Sequence, residues 1–314
     1  MTISVLPSAA AMTAILDAPL PERPDLVRSL WSPLAGMYHF VPGGVDLAAV
    51  HRQQFGFAWD GETEAVRAAI DRLRAADAWE RIDRALRTGL SALRTANPGL
   101  PVPEITVLLL VGDHSQPHFR EEIRGLSAFG GISGYIVITV WPSPEVLDRL
   151  EAIAVHELHH NLRYSPGGVR WDPQTVTVGE QIVAEGLADQ FAVELYGERG
   201  LSHFVSEETR SDDAVLRTVV GGLGVTGMAH FAAWVHGDAT ARLFGAEPVG
   251  LPTGAGYAAG LRLVRAALAD TTSTAAASLS TPAESILRIA LRRLGFPSES
   301  ERLDGTTTPP ATGA

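Results

Sequence analysis

His-Glu-Leu-His-His at positions 156–160 sets two histidines four residues apart, inside a run whose apolar residues recur at helical spacing. On a helix, His156 and His160 share one face and can each offer a nitrogen to one zinc ion, while Glu157 lies beside the metal, placed to polarise a bound water. The motif also constrains the fold. Two histidines leave a tetrahedral zinc short of a protein ligand, so an element carrying a third donor must pack against this helix, with the fourth position left to water. The segment 144–163 reads as a single helix: Ser143 suits the N-cap, Pro144 the first helical position, and Leu147, Leu150, Ile153, Ala154 and Leu158 form an apolar stripe. Tyr164-Ser165-Pro166-Gly167-Gly168 then breaks it.

The chain has no cysteine, so the third donor is not a thiolate. The next helical run, 178–197, opens on the capping box Thr177-Val178-Gly179-Glu180 and carries Glu180, Glu185, Asp189 and Glu194. Glu180 is occupied at the helix start. Glu185 and Asp189 share a face with Ala184, Ala188 and Ala192, which are small enough for another helix to approach closely. Glu185 is therefore the expected third ligand, with Glu180, Asp189 and Glu194 as alternatives. Asp189, one turn on, is placed to accept the free ring N–H of a ligand histidine and fix its tautomer.

His156-Glu157-x-x-His160, then Glu185-Gly186-Leu187-Ala188-Asp189, then Gly256-Tyr257-Ala258-Ala259-Gly260 resembles a gluzincin metallopeptidase, and most of all the DUF2268 family of zinc-dependent proteases. The resemblance spans roughly 105–295. It implies an α+β, predominantly helical chain with a zincin-like catalytic domain: a small sheet, the histidine helix and a glutamate helix. It also implies one Zn2+ ion and a peptide or protein substrate. Glu157 would be the general base, and Tyr257 the preferred donor to the developing oxyanion, with His203, His230 and His236 as alternatives. In such folds the strand before the histidine helix, here 134–140, lies at a sheet edge and pairs with extended substrate.

We divide the chain into a mainly helical region, 1–103, a metallopeptidase domain, 104–297, and a disordered tail, 298–314. Residues 61–97 read as two amphipathic helices stopped by Pro98-Gly99, and 105–111 as a buried strand. Phe129-Gly130-Gly131-Ile132-Ser133 reads as a loop able to approach a ligand, 255–270 and 284–294 as helices, and 271–281 as a flexible connection. Gly222–Gly227 fits G-x-G-x-x-G but lacks a βαβ setting, so a glycine-rich helix junction is the better reading. His114 and His118 are separated by Gln116-Pro117, which interrupts any helix between them. His159 lies off the His156 face, either beside the site or toward solvent.

A net charge of −11 argues against a nucleic-acid partner. No apolar run reaches bilayer length, and no basic residue precedes Arg23 to make a secretory leader, so a cytoplasmic protein is expected. All 25 basic residues are arginine, which removes lysine as a nucleophile. Oligomeric state is not legible. Two other functions stay open: a zinc-containing peptide-binding or chaperone-like module without turnover, and a narrow-specificity hydrolase of a small biosynthetic amide.

Overall fold

The computed structural model describes residues 3–297; the expected tail, 298–314, lies outside them. The chain is helix-rich around one four-stranded mixed sheet. Strand β1 (Ile3–Val5) leads into α1 (Ser8–Asp17), α2 (Arg23–Trp31), α3 (Leu47–Gln53), α4 (Glu64–Ala75) and α5 (Ala78–Ala96). Next come β2 (Ile105–Val111), β3 (Leu126–Ile132) and β4 (Tyr135–Val140), then α6 (Pro144–Leu147), α7 (Leu150–Arg163) and α8 (Val178–Tyr196). The last elements are α9 (Glu207–Ser211), α10 (Asp213–Gly222), α11 (Asp238–Leu243), α12 (Ala255–Thr271) and α13 (Ala283–Arg293).

The sheet order is β1-β2-β4-β3. β2 is apolar at nearly every position and buried, as a strand flanked on both sides and covered on both faces must be; it runs parallel to β1 and β4. β3 pairs antiparallel with β4. The strand at 135–140 is thus internal rather than at the edge, because its near-continuous apolar run belongs inside the sheet. With β1 at one edge of the sheet, the other edge is β3. Its half-buried, glycine-containing sequence reads as a loop, but pairing with β4 makes it a strand, with a register shift between Phe129 and Ile132.

The helix expected over 144–163 is two helices. Ser143 caps α6 by accepting from Val146 N–H, and the chain turns at Asp148-Arg149 before α7. The Arg81 guanidinium explains the break. It takes the Leu147 carbonyl at 2.7 Å, which a continuous helix would offer to Glu151 N–H, and also binds the Glu151 carboxylate at 2.6 and 2.7 Å.

Nor is 271–281 a flexible connection. Arg163 Nη1 donates to the carbonyls of Leu279 and Thr281 at 2.8 and 3.1 Å, and Asn97 Nδ2 donates to the Ala276 carbonyl at 2.8 Å. Ala275, Ala276 and Leu279 are buried. Ser, Thr and Ala carry too little periodic signal to reveal this docking. The buried core is continuous across residue 103: Ile3, Trp31 and Ile82 belong to the same apolar cluster as Ile105, Val155 and Leu263.

Candidate metal centre

Helices α7 and α8 lie antiparallel, as three contacts in reverse order record: His156 with Asp189, His160 with Glu185, and Arg163 with Glu180. The last pair closes the far end. Arg163 is wholly buried and binds Glu180 through two parallel bonds of 2.9 and 3.0 Å, and Tyr164 Oη donates to the same carboxylate. Thr177 caps α8 by accepting from Glu180 N–H, while the N–H groups of Val178 and Gly179 reach the carbonyls of Val225 and Leu223. The glycine-rich stretch 222–227 thus serves as the junction that covers the start of α8. Glu180 is spent on Arg163, and Glu194 accepts the Ala275 N–H, so neither is free to ligate.

One turn along, the ring nitrogens converge. His156 Nε2 and His160 Nε2 each lie 3.2 Å from the same Glu185 oxygen, and 3.1 Å from one another. Among the described residues, this is the one group of three or more potential metal ligands. Donors at zinc–ligand lengths around a tetrahedron lie about 3.3 Å apart. The three atoms fit one ion of that size and softness without rearrangement. Asp189 Oδ1 sits 3.0 Å from His156 Nδ1, so that nitrogen carries a proton, and Nε2 is the nitrogen turned toward the centre. Burial alone would make His156 less basic, but its bonds to Asp189 and Glu185 hold its pKa well above 6.5. Burial likewise works against ionised Glu185, yet the two imidazoles keep its carboxyl well below the usual range. The cluster is built to hold positive charge at its centre.

Glu157 is buried beside it, and burial raises its carboxyl pKa. Gly130 of the edge strand packs against Glu157, and its backbone amide favours the ionised carboxylate. The β3 register shift turns that amide out of the ladder, and a side chain at Gly130 would strike the Glu157 carbonyl. Asn161, the residue after His160, ties the same hairpin down: it accepts from Gly134 N–H at 3.0 Å and donates toward the carbonyls of Gly130, Ile132 and Tyr135 at 2.8–3.1 Å.

Tyr257 enters from α12. Its ring lies 6.3 Å from that of His156, near-parallel, and Glu185 is among the carboxylates that act on its hydroxyl. Burial and the surrounding carboxylates hold the phenol pKa well above 10. Three glycines permit the approach. A side chain at Gly186 would meet the Gly260 backbone and one at Gly260 the Ile182 carbonyl, so α8 and α12 cross in backbone contact, and one at Gly256 would meet the Val235 backbone. Of the alternative donors, His236 lies against Tyr257 with ring centroids 5.8 Å apart. His203 is committed to the Arg124 carbonyl at 3.1 Å, and His230 is exposed. His159 neither joins the site nor faces solvent: it is buried against Phe191. His114 stacks on Trp141 and His118 on Phe55, separate from the centre.

Sequence reasoning passed over Gln181, which donates to the other Glu185 oxygen at 2.7 Å, and Ser202, which donates to Asp189 at 2.9 Å. Gln181 stands one turn before Glu185, a spacing that could have marked it. Ser202 had no such signal.

A buried His-His-Glu cluster with a second glutamate beside it on the histidine helix defines a candidate metal centre of the H-E-x-x-H kind. Residues 78–288, more than half of the chain, match the family described as predicted Zn-dependent protease (DUF2268), and the chain belongs to that family. Among curated proteins it is similar to an uncharacterized protein of Bacillus subtilis (strain 168), YjfC, with 34% identity over 163 residues, 52% of this chain and 53% of that one. The chain thus spans about half the length of the curated relative it matches. No solved structure gives a significant match.

Proposed function

We propose that the protein is a zinc-dependent hydrolase that cleaves peptide bonds, built on a zincin-like fold. The observation that carries this reading is the convergence of His156, His160 and Glu185 on one point, with Glu157 beside them and an open strand edge alongside. His156, His160 and Glu185 would hold the ion, which when bound supplies Lewis acidity and a water acidified toward neutral pH. Glu157 takes the proton of the attacking water and passes it to the leaving amine. Tyr257 donates a hydrogen bond to the oxygen that gains charge and keeps its proton. Asp189 keeps His156 in the tautomer that leaves Nε2 free. The unpaired side of β3 holds the peptide in extended form through main-chain hydrogen bonds.

The acidic balance of the chain favours peptide or protein over nucleic acid as the partner. Among the described residues no helix is long and apolar enough to cross a membrane, and we place the activity in the cytoplasm. The test is cleavage of a peptide library by zinc-loaded wild type and by Glu157→Gln. The variant keeps its zinc and loses about 10²–10⁴-fold in rate; equal rates at full zinc occupancy would overturn the mechanism.

A further inference from the structure

The chemistry above gives Asn161 no task, although its surroundings are built for one. It is wholly buried on α7, one turn past Glu157, and that spacing of four puts the two on one face of the helix. His156 and His160 share the adjoining face, toward Glu185 on α8. Asn161 Oδ1 accepts from Gly134 N–H at 3.0 Å, and Nδ2 donates toward the carbonyls of Ile132 and Tyr135 at 2.8 Å each and of Gly130 at 3.1 Å. One side-chain amide thereby reaches β3, the turn and β4. Both its hydrogens and its oxygen are in use.

These contacts fall where β3 loses its regular support. Between the pairs Phe129↔Val137 and Ile132↔Tyr135 the chain takes three steps on β3 and two on β4, so one extra residue bulges at Gly130-Gly131. Gly130 is also where the strand meets the base, since a side chain there would strike the Glu157 carbonyl. Thr106 N–H of β2 holds the tip of the turn through the Gly134 carbonyl at 2.9 Å, whereas Asn161 holds the bulge itself to α7. An apolar side chain would serve for packing alone, and asparagine is a poor helix former. Hydrogen bonds add direction, which fixes the register and the distance of the strand together. The helix that carries two metal ligands and the base therefore also sets the path of the edge strand.

We propose that Asn161 is a positioning residue for the substrate: it fixes β3 against α7 so that a peptide lying along the strand presents its bond to the metal and to Glu157. This rests on the peptide-cleaving reading above. Without the Asn161 amide, the ligands and the base keep their places on α7 and α8, but a peptide on β3 is held out of line with them. The loss is selective, falling on molecules that use the strand and sparing those that reach only the metal.

Two probes separate these cases: a peptide of about seven residues, long enough to lie along β3, and acetohydroxamate, which is small enough to engage the metal alone. Asn161→Ser leaves a hydroxyl for one carbonyl, and Asn161→Asp keeps the acceptor for Gly134 but sets a charge against the other three groups. In each zinc-loaded variant with native circular dichroism, kcat/KM for the peptide falls about tenfold or more, while zinc content and inhibition by acetohydroxamate stay as in wild type. Unchanged peptide kinetics overturn the proposal, and so does an equal weakening toward both probes, which a general loosening of the fold would give. Residue-resolved hydrogen exchange on wild type needs no variant that folds. The Gly134 amide exchanges as slowly as those of α7 if Asn161 ties the hairpin to the helix; exchange far faster than α7 overturns the proposal. If the peptide is not cleaved, the hydrolase reading fails by itself, and calorimetric titration of the peptide into zinc-loaded wild type and Asn161→Ser decides. Binding about tenfold weaker in the variant supports the positioning role; equal binding, or none by either, overturns it.

Discussion

Asp189 acts through another side chain, which makes it the sharpest residue-level probe of the centre. Its carboxylate accepts from His156 Nδ1 at 3.0 Å and from Ser202 Oγ at 2.9 Å. Asp189→Asn keeps the shape but removes the charge that orients the ring. Zinc affinity should weaken about 10–100-fold, measured by competition with a chelating dye, with the fold intact; unchanged affinity would show that His156 is oriented by other means. The juxtaposition of His156, His160, Glu185 and Asp189 was legible because helical spacing of four fixes which side chains share a face, and the alanines beside Glu185 marked a close interface. The polar partners around them were not. Asn161 and Ser202 owe their contacts to segments distant in sequence, and nothing local in the chain encodes them.

Among the elements, the α8–α12 crossing decides how closely Tyr257 stands against His156. Gly260→Ala drives a methyl group into the Ile182 carbonyl and forces the helices apart. It should cost about 1–3 kcal/mol, read by urea denaturation, and it should also slow catalysis, since Tyr257 moves with α12. A fully stable Gly260→Ala protein would show that the crossing tolerates a side chain. Sequence period identified α4, α5, α8, α12 and α13 and the strands at 105–111 and 135–140, because their apolar patterns are long or continuous. It missed the strand character of β3 and the docking of 271–281. Both depend on partners elsewhere, β4 for the first and Arg163, Asn97 and Glu194 for the second. The break at Asp148-Arg149 was likewise invisible, since neither residue opposes a helix and the cause is Arg81 on α5.

At the scale of the whole molecule, the N-terminal third supports the sheet and adds its own pH response. His51 is fully buried: its Nδ1 accepts from Trp31 Nε1 at 3.0 Å and its Nε2 donates to the Phe57 carbonyl at 3.0 Å. Burial pushes its pKa down from 6.5 to about 4. The unfolded chain therefore binds this proton more readily than the native one. Stability is fully present above pH 6.5 and falls as pH drops toward 4, by on the order of 3 kcal/mol. His51→Gln retains an acceptor and a donor but cannot titrate, so its denaturation midpoints should fall less steeply than those of wild type over this window; equal slopes would remove His51 from the account. Across the entire chain, the claim on which everything else depends is that His156, His160 and Glu185 hold one zinc ion. Metal analysis of purified, zinc-equilibrated wild type and Glu185→Ala tests it directly. The account predicts one zinc per wild-type chain and loss of that zinc in the folded variant; full zinc retained by Glu185→Ala, or none in wild type, would contradict it.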